Sequence, residues 1–88
     1  MTLYYKSSFK KSYKKRFGNN AKIKLLIKER ISMFLKNPQH PLLRAHPLRG
    51  VRKNFYSFSV TGDIRIIFYI YQSNVYFVDI GTHNQVYE

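Results

Sequence analysis

Residues 54–80 read NFYSFSVTGDIRIIFYIYQSNVYFVDI and predict the central part of the fold. The stretch contains three runs, at 54–60, 63–71 and 74–80. Each run is rich in β-branched and aromatic residues, which favour β-strands. Short polar segments separate the runs at the lengths of hairpin turns, and the middle run is apolar almost throughout, as is typical of a central strand. We therefore predict an antiparallel meander of three strands.

Two amphipathic helices are predicted upstream of the meander. Over 8–17 an aromatic residue recurs at every fourth position, which places the rings on one face of a helix. Over 21–36 the apolar residues keep the same helical spacing, and Asn37-Pro38 ends the pattern. Ser7 or Ser8 is available to cap the first helix, and a Gly-Asn-Asn turn supplies an Asn that can cap the second.

The order of these elements predicts an α+β fold. A short strand at 2–5 precedes the two helices and the meander, which gives the order β-α-α-β-β-β. We expect an antiparallel sheet with an αα-hairpin packed on one face. The chain has 88 residues, of which 44% are hydrophobic and 17% aromatic. This composition suits one domain over 1–88 with a packed core.

Positive charge is the dominant feature of the composition. The 16 Lys and Arg residues face only 4 Asp and Glu, and the formal net charge is +12. Such a surface attracts polyanions, so nucleic acid or an acidic protein is the expected partner. The candidate RNA contacts lie in two basic stretches: Lys10, Lys11, Lys14, Lys15, Arg44, Arg49, Arg52 and Lys53. The alternative interpretation is a solvated basic surface that serves solubility.

Several classes of function are excluded because their motifs are absent. The chain has no Cys, which excludes thiolate metal sites and fits a reducing compartment. No run approaches the ~18 apolar residues of a membrane span, and the N-terminus lacks the apolar segment of a signal peptide. There is no P-loop, dinucleotide fingerprint or HExxH motif, and the acids are scattered. We expect a cytoplasmic protein that needs no cofactor, metal or membrane.

The remaining functional groups are those of a metal-free ribonuclease. Cleavage of RNA through its own 2′-OH needs a base for the hydroxyl proton, an acid for the departing 5′-oxygen and cations for the charge that develops on phosphorus. His suits the proton transfers because its unperturbed pKa of ~6.5 lies near working pH. Arg suits the phosphate because its planar fork binds two oxygens at once.

Three motifs resemble those of one toxin superfamily. HPLRG at 46–50, GDIRIIFYI at 62–70 and IGTHNQVY at 80–87 are similar, in order and spacing, to motifs of the RelE/ParE superfamily and above all of its YafQ-like branch of messenger-RNA interferases. The resemblance implies a RelE-like β-α-α-β-β-β fold in a type II toxin–antitoxin system toxin. It further implies ribosome-dependent, metal-free cleavage of messenger RNA in the A site. A cognate antitoxin, expected to be acidic, would neutralise the toxin, and the toxin–antitoxin complex would bind operator DNA through the antitoxin.

The same resemblance assigns the candidate catalytic residues. They are His46, Asp63, Arg65, His83 and Tyr87. By this resemblance, His46 and His83 would transfer protons, and Asp63 would support His46. Arg65 would bind the phosphate, and Tyr87 would stack on a base. The resemblance therefore places the active site partly in the last motif of the chain.

Each candidate residue also has a structural alternative. His46 can be a loop residue beside a turn-forming Pro, and Asp63 can serve hairpin chemistry after a Gly. Arg65 can be a charge that discourages strand pairing, and Tyr87 can pack its ring on the sheet edge. His40 matches no motif and is interpreted as a loop residue.

The chain departs from the YafQ-like pattern at two positions. Ser59 stands where members of that branch often carry a His, and Ile64 stands where they often carry a Trp. Arg65 is the candidate to supply the charge of the missing His. Two alternative functions remain open at this point: a ParE-like toxin that poisons gyrase without cutting RNA, and a non-catalytic RNA- or ribosome-binding module.

Overall fold

The computed structural model describes residues 1–87 and confirms the predicted α+β fold. Within these residues the chain forms three α-helices and five strands, in the order β1 (Leu3–Tyr5), α1 (Ser7–Phe17), α2 (Ala21–Lys36), β2 (His46–Pro47), β3 (Tyr56–Ser59), β4 (Ile64–Tyr71), β5 (Asn74–Thr82) and α3 (His83–Tyr87), with short 3-10 turns at Pro41–Leu43 and Gly50–Arg52. The strands form a sheet with the order β1-β5-β4-β3-β2. None of the helices in residues 1–87 is long and apolar enough to cross a membrane.

The predicted meander forms the centre of the sheet. β4 pairs antiparallel with β3 on one side and with β5 on the other. Ile67 pairs with Asp79 and Phe68 with Phe77, so Val78 is the extra residue of a β-bulge in β5. Because a bulge bends its strand and increases the local twist, the end of β5 that leads into α3 is turned relative to its start.

The sheet differs from the predicted one at both edges. β1 pairs parallel with β5, Leu3 opposite Val75, so the sheet is mixed and not wholly antiparallel as predicted. Tight hairpins impose antiparallel pairing only on strands that are neighbours in sequence, and β1 is remote from β5. β2 consists of His46–Pro47 at the other edge, where the missing N–H of Pro is tolerated. Neither β2 nor α3 is predicted, because two and five residues are too few for a periodic pattern.

The two long helices begin in different ways. The prediction of a Ser cap for α1 is wrong: Lys6 is the N-cap residue and makes no side-chain cap, while Ser8 Oγ donates to the carbonyl of Val78 at 2.6 Å. Ser8 therefore ties α1 to β5. The predicted Asn cap of α2 is confirmed, since Asn20 Oδ1 accepts from the N–H of Ile23 at 3.0 Å.

Aromatic side chains fill the core between the helices and one face of the sheet. Phe34 of α2 stacks on Phe58 with ring centroids 4.6 Å apart and contacts Phe68 edge to face at 5.0 Å. Phe9 of α1 meets Phe77 at 5.5 Å. All five rings are buried. Burial of each such side chain contributes about 1.5–3 kcal/mol, so the helix stripes seen in the sequence hold the hairpin on the sheet.

Candidate active site

The face of the sheet opposite α1 and α2, called here the open face, carries the candidate site. Side chains alternate between the two faces along a strand. Arg65 and Ile67 of β4 lie on the open face, and Ser59 and Ser57 of β3 pair with them on the same face. The open face therefore combines polar groups with one apolar position at the centre of the sheet.

α3 covers part of the open face immediately after β5. The N–H of Thr82 donates to Gln85 Oε1 at 2.8 Å, which is half of a capping box at the start of this helix. Val86 is fully buried, and α3 contacts both β4 and β5. His83 and Tyr87 are one helical turn apart, and their rings meet edge to face with centroids 4.4 Å apart. The short helix thus presents these two rings together.

A cleft of about 370 Å³ lies between α3, β4 and the segment that begins with β2. The lining residues are His46, Pro47, Leu48, Arg49, Arg65, His83 and Tyr87. Four predicted catalytic residues and one predicted RNA contact, Arg49, therefore meet in one place although they are far apart in sequence.

Two buried serines of β3 hold two side chains of the cleft. Tyr87 Oη donates to Ser57 Oγ at 2.7 Å, and Arg65 Nη1 donates to Ser59 Oγ at 2.9 Å. Ser57 is 0% exposed and Ser59 is 6% exposed. A buried hydroxyl that loses its partner costs about 1–3 kcal/mol, so each bond favours one orientation of the side chain that it holds.

The hydrogen bond of His46 fixes the tautomer of its ring. His46 Nδ1 lies 2.8 Å from the carbonyl oxygen of Arg44. Because a carbonyl can only accept, Nδ1 carries the proton, and Nε2 is the nitrogen that remains to accept one. His46 is exposed on β2, at the rim of the cleft. This ring is therefore arranged as a base in its neutral form.

α1 contacts β5 through Arg16, close to the point where β5 leads into α3. Arg16 Nη1 donates to the carbonyl of Ile80 at 2.8 Å and to Asp79 Oδ1 at 3.2 Å. A Cβ atom at Gly81 would lie 2.7 Å from both Arg16 Nη1 and Gln85 Oε1. The absence of a side chain at Gly81 thus lets the guanidinium and the amide approach the strand that leads into α3.

The chain matches one known protein family over its whole length. The sequence profile of the family described as bacterial toxin of type II toxin-antitoxin system, YafQ, matches residues 1–88. The chain belongs to the YafQ toxin family. No curated protein matches the sequence.

Solved structures share the fold of this YafQ-family toxin. YafQ from E. coli strain BL21(DE3) is 20% identical with a TM-score of 0.82, and the match covers 98% of this chain and 97% of that one. A YoeB/ParE toxin from Agrobacterium tumefaciens is 20% identical with a TM-score of 0.75 over 94% and 99% of the two chains. A chain of the E. coli DinJ–YafQ complex is 22% identical with a TM-score of 0.75 over 98% and 97%.

Asp63 lies outside the cleft of this YafQ-family toxin. It is exposed in the turn between β3 and β4. The N–H groups of Asp63 and Ile64 both donate to Thr61 Oγ1, at 3.1 Å and 2.9 Å. Within residues 1–87 no hydrogen bond joins its carboxylate to His46. The position agrees with the alternative that Asp63 belongs to the hairpin.

The predicted RNA contacts of the toxin lie in two regions. Four exposed lysines are on α1: Lys10, Lys11, Lys14 and Lys15. The other four residues are in the segment around β2: Arg44, Arg49, Arg52 and Lys53. Only Arg49 of these eight lines the cleft, whereas the guanidinium of Arg52 lies 5.8 Å from the centre of the Phe55 ring. His40 is in a loop as predicted, and its Nδ1 accepts from the N–H of Leu42 at 3.1 Å.

Sequence reasoning missed the groups that orient the cleft residues of the toxin. In NFYSFSV the two serines alternate with Tyr, Phe and Val, which places Ser57 and Ser59 on the face opposite the apolar residues. Thr82 and Gln85 also have the T-x-x-Q spacing of a capping box, which marks the start of a helix. Both patterns are visible in the sequence. The sequence does not show, however, which side chains the two serines contact in the folded protein.

Proposed function

We propose that this YafQ-family toxin is a metal-free endoribonuclease that cuts messenger RNA in the ribosomal A site. The observation that carries the proposal is the cleft, which places His46, His83, Arg65 and Tyr87 around one volume large enough for a phosphate and part of a nucleotide. A gyrase poison would have little use for two histidines that face a common cleft with an Arg.

The reaction follows from the groups in the cleft. One His accepts the proton of the 2′-OH, and the 2′-oxygen forms a bond to the adjacent phosphorus. The bond from phosphorus to the 5′-oxygen of the next nucleotide breaks, and the second His donates a proton to that oxygen. The products are a 2′,3′-cyclic phosphate and a free 5′-hydroxyl, and the proposed reaction consumes no oxidant and uses no metal ion. The tautomer of His46 favours this residue as the base, which leaves His83 as the acid.

Arg65 is the group proposed to stabilise the transition state. Its guanidinium is half-buried and is held by Ser59, so it is oriented before RNA binds. Preoriented cations act most strongly on charge that develops during the reaction. Arg49 adds a second positive charge at the same cleft. Ser59 stands where the YafQ-like branch often has a His, and its hydroxyl fixes the Arg that is proposed to take over that charge.

Tyr87 is proposed to contribute its ring as a platform for a base. The ring is half-buried, and its hydroxyl is held by Ser57. Stacking of a base on an aromatic ring is worth about 1–3 kcal/mol. Asp63 does not line the cleft and has no step in this proposed reaction.

The test is to incubate the protein with translating ribosomes and to map the 5′ ends of the messenger fragments. We expect fragments with 5′-hydroxyl ends, which become ligatable only after treatment with a polynucleotide kinase. Cleavage should persist when Mg²⁺ is lowered to the level that ribosomes need. The His83→Ala and His46→Ala proteins should bind ribosomes but lose cleavage.

A matched control is His40→Asn, which changes a His outside the cleft while keeping a side chain that can cap the turn. This protein should cleave as the parent does. If His46→Ala and His83→Ala proteins remain as toxic as the parent, the ribonuclease proposal fails, and a ParE-like action on gyrase becomes the better explanation.

We further propose a cognate acidic antitoxin as the protein partner in the cytoplasm. An apolar groove of about 600 Å³ runs between α1 and α2, and Lys10, Lys24 and Lys28 are among its lining residues. A groove of this kind suits a segment with one apolar and one acidic face. One of the solved E. coli structures is a complex of YafQ with DinJ. Operator DNA would then be bound through the antitoxin.

Co-expression with the acid-rich product of a neighbouring reading frame should restore growth, and failure to do so would count against this partner.

A further inference from the structure

A row of aromatic rings crosses the open face beside the cleft. Tyr4 of β1, Tyr76 of β5 and Tyr69 of β4 occupy paired positions on three adjacent strands. Their rings stack with centroids 5.0 Å and 4.8 Å apart and interplanar angles of 14°. Phe55, which precedes β3, meets Tyr69 edge to face at 5.7 Å. These four residues are called the aromatic row.

The aromatic row lies outside the core and is accessible. Tyr4 is 45% exposed, and the other three rings are half-buried. Within residues 1–87 the hydroxyls of Tyr4, Tyr69 and Tyr76 make no hydrogen bond to the protein. Cross-strand stacking stabilises a sheet only modestly, whereas a contiguous exposed patch of aromatic side chains is typical of a binding surface.

The aromatic row is continuous with the cleft. Leu48, which lines the cleft, donates its N–H to the carbonyl of Phe55 at 2.9 Å. Along β4, Arg65 of the cleft and Tyr69 of the row lie on the same face, four residues apart. At ~3.4 Å per residue this is a distance of about 14 Å. An extended strand of RNA that leaves the cleft along the open face would therefore reach the row.

Positive charge accompanies the rings. The guanidinium of Arg52 lies 5.8 Å from the centre of the Phe55 ring, at the end of the row nearest the cleft. Asp79, which also lies on this side of β5, is already paired with Arg16 at 3.2 Å. Aromatic rings beside a cation are typical of surfaces that bind single-stranded nucleic acid, because the rings contact nucleotides and the charge attracts phosphates.

We propose that the aromatic row binds the messenger-RNA segment that flanks the scissile phosphate, and so extends the cleft into a longer single-strand site. This inference rests on the proposed ribonuclease function. The stacked tyrosines cover one another, so the row offers RNA its outer edges, three hydroxyl donors and the free side of Tyr4 at the sheet edge. Hydroxyl donors suit ribose and phosphate oxygens, which are common to all sequences.

The test compares RNA oligonucleotides of two lengths. Each carries one 2′-deoxy position at the cleavage point, so that it binds without being cut, and affinity is measured by fluorescence anisotropy at low salt. The short oligonucleotide fills only the cleft, and the long one adds flanking nucleotides on both sides. The variants are Tyr69→Thr and Tyr76→Thr, which keep a residue that favours strands.

We expect each variant to bind the long oligonucleotide roughly tenfold more weakly than the parent, since each change removes a hydroxyl donor to RNA together with the ring edge beside it. Affinity for the short oligonucleotide should not change. Tyr69→Phe and Tyr76→Phe keep the rings but each removes one hydroxyl donor, so these proteins should also bind the long oligonucleotide more weakly than the parent, by a smaller factor than the Thr variants. They also report on the row if the Thr variants fail to fold. The matched control is Ile70→Thr, which changes the next residue of β4, 54% exposed on the opposite face.

Three outcomes would overturn the inference. They are unchanged affinity of the Tyr69→Thr and Tyr76→Thr proteins for the long oligonucleotide, equal loss of affinity for both lengths, and loss of antitoxin binding while RNA binding is kept. The last outcome would assign the row to an acidic protein. Ribosomal cleavage by the parent is measured in parallel. If the parent cleaves messenger RNA but the variants bind RNA as the parent does, only the role of the aromatic row is refuted. If the parent does not cleave messenger RNA, the proposed function itself is refuted.

Discussion

Replacement of Tyr87 by Phe should destabilise the protein although the ring is kept. The change removes the hydroxyl that donates to Ser57 Oγ at 2.7 Å and leaves the Ser57 hydroxyl, which is 0% exposed, without a partner. An orphaned buried hydroxyl costs about 1–3 kcal/mol. In a domain of this size each kcal/mol lowers the melting temperature by roughly 4–8 °C.

Replacement of the hydrogen-bond partner of Tyr87 should lower the free energy of unfolding by a smaller amount. Ser57→Ala removes the buried hydroxyl and leaves the half-buried Tyr87 free to donate to water, so we expect a loss of about 0.5–1.5 kcal/mol. The double variant removes both ends of the bond and should be less destabilised than the sum of the single variants. The coupling free energy should be about 1 kcal/mol, well above the ~0.3–0.5 kcal/mol scatter of independent sites.

The assay is urea unfolding followed by circular dichroism for the parent, both single variants and the double variant. Tyr69→Phe is the matched control, since its hydroxyl has no protein partner within residues 1–87, and its stability should stay within about ±0.5 kcal/mol. Additive single effects would refute the reasoning. If Tyr87 only stacked on a base, Tyr87→Phe would keep most activity, because the ring is retained. The hydrogen bond gives a reason to expect reduced activity, with partial recovery in the double variant.

Further predictions concern chemistry, packing and charge. His83→Ala should keep RNA binding and lose roughly 10²–10⁴ of the single-turnover cleavage rate; unchanged cleavage would exclude His83 as the acid. Arg65→Ala should slow the chemical step more than it weakens binding, which a comparison of kcat with KM will show. Gly81→Ala should lower the melting temperature, because its Cβ would lie 2.7 Å from Arg16 Nη1 and from Gln85 Oε1; an unchanged value would mean that these side chains move freely. Ribosome affinity should fall steeply from ~50 to ~200 mM salt, and a flat titration would argue against phosphate contacts.

The elements that are predictable from the sequence are those with a long repeating pattern. The apolar stripes of 8–17 and 21–36 and the three strand runs each extend over enough residues to show their period, and they form as expected. The parallel pairing of Leu3 with Val75 is not encoded in either segment alone. This pairing depends on which edge of the sheet is free once the meander has formed. Local strand propensities carry no information about that.

In the candidate site, too, some features are predictable from the sequence and others are not. The motifs identify His46, Arg65, His83 and Tyr87, and the fold brings them to one cleft. They do not show that Asp63 is exposed in a turn held by Thr61. Its carboxylate lies outside the cleft because Asp63 precedes β4, in a turn that Thr61 Oγ1 holds through the N–H groups of Asp63 and Ile64, where strand alternation does not set the direction of a side chain. The pairing of residues between β3 and β4 is set by the register of the two strands, which a single sequence leaves open.

The pairing of β1 with β5 has a consequence for how the toxin folds during its synthesis. The backbone N–H of Thr2 donates to Asn74 Oδ1 across 72 positions of the chain, and Arg16 reaches Asp79 across 63. Contacts between such distant segments form slowly, since a long loop must close before they stabilise anything. β1 and α1 leave the ribosome first and must wait, unpaired, for β5. During that interval the exposed apolar stripe of α1 is open to an early partner, and the cleft does not yet exist.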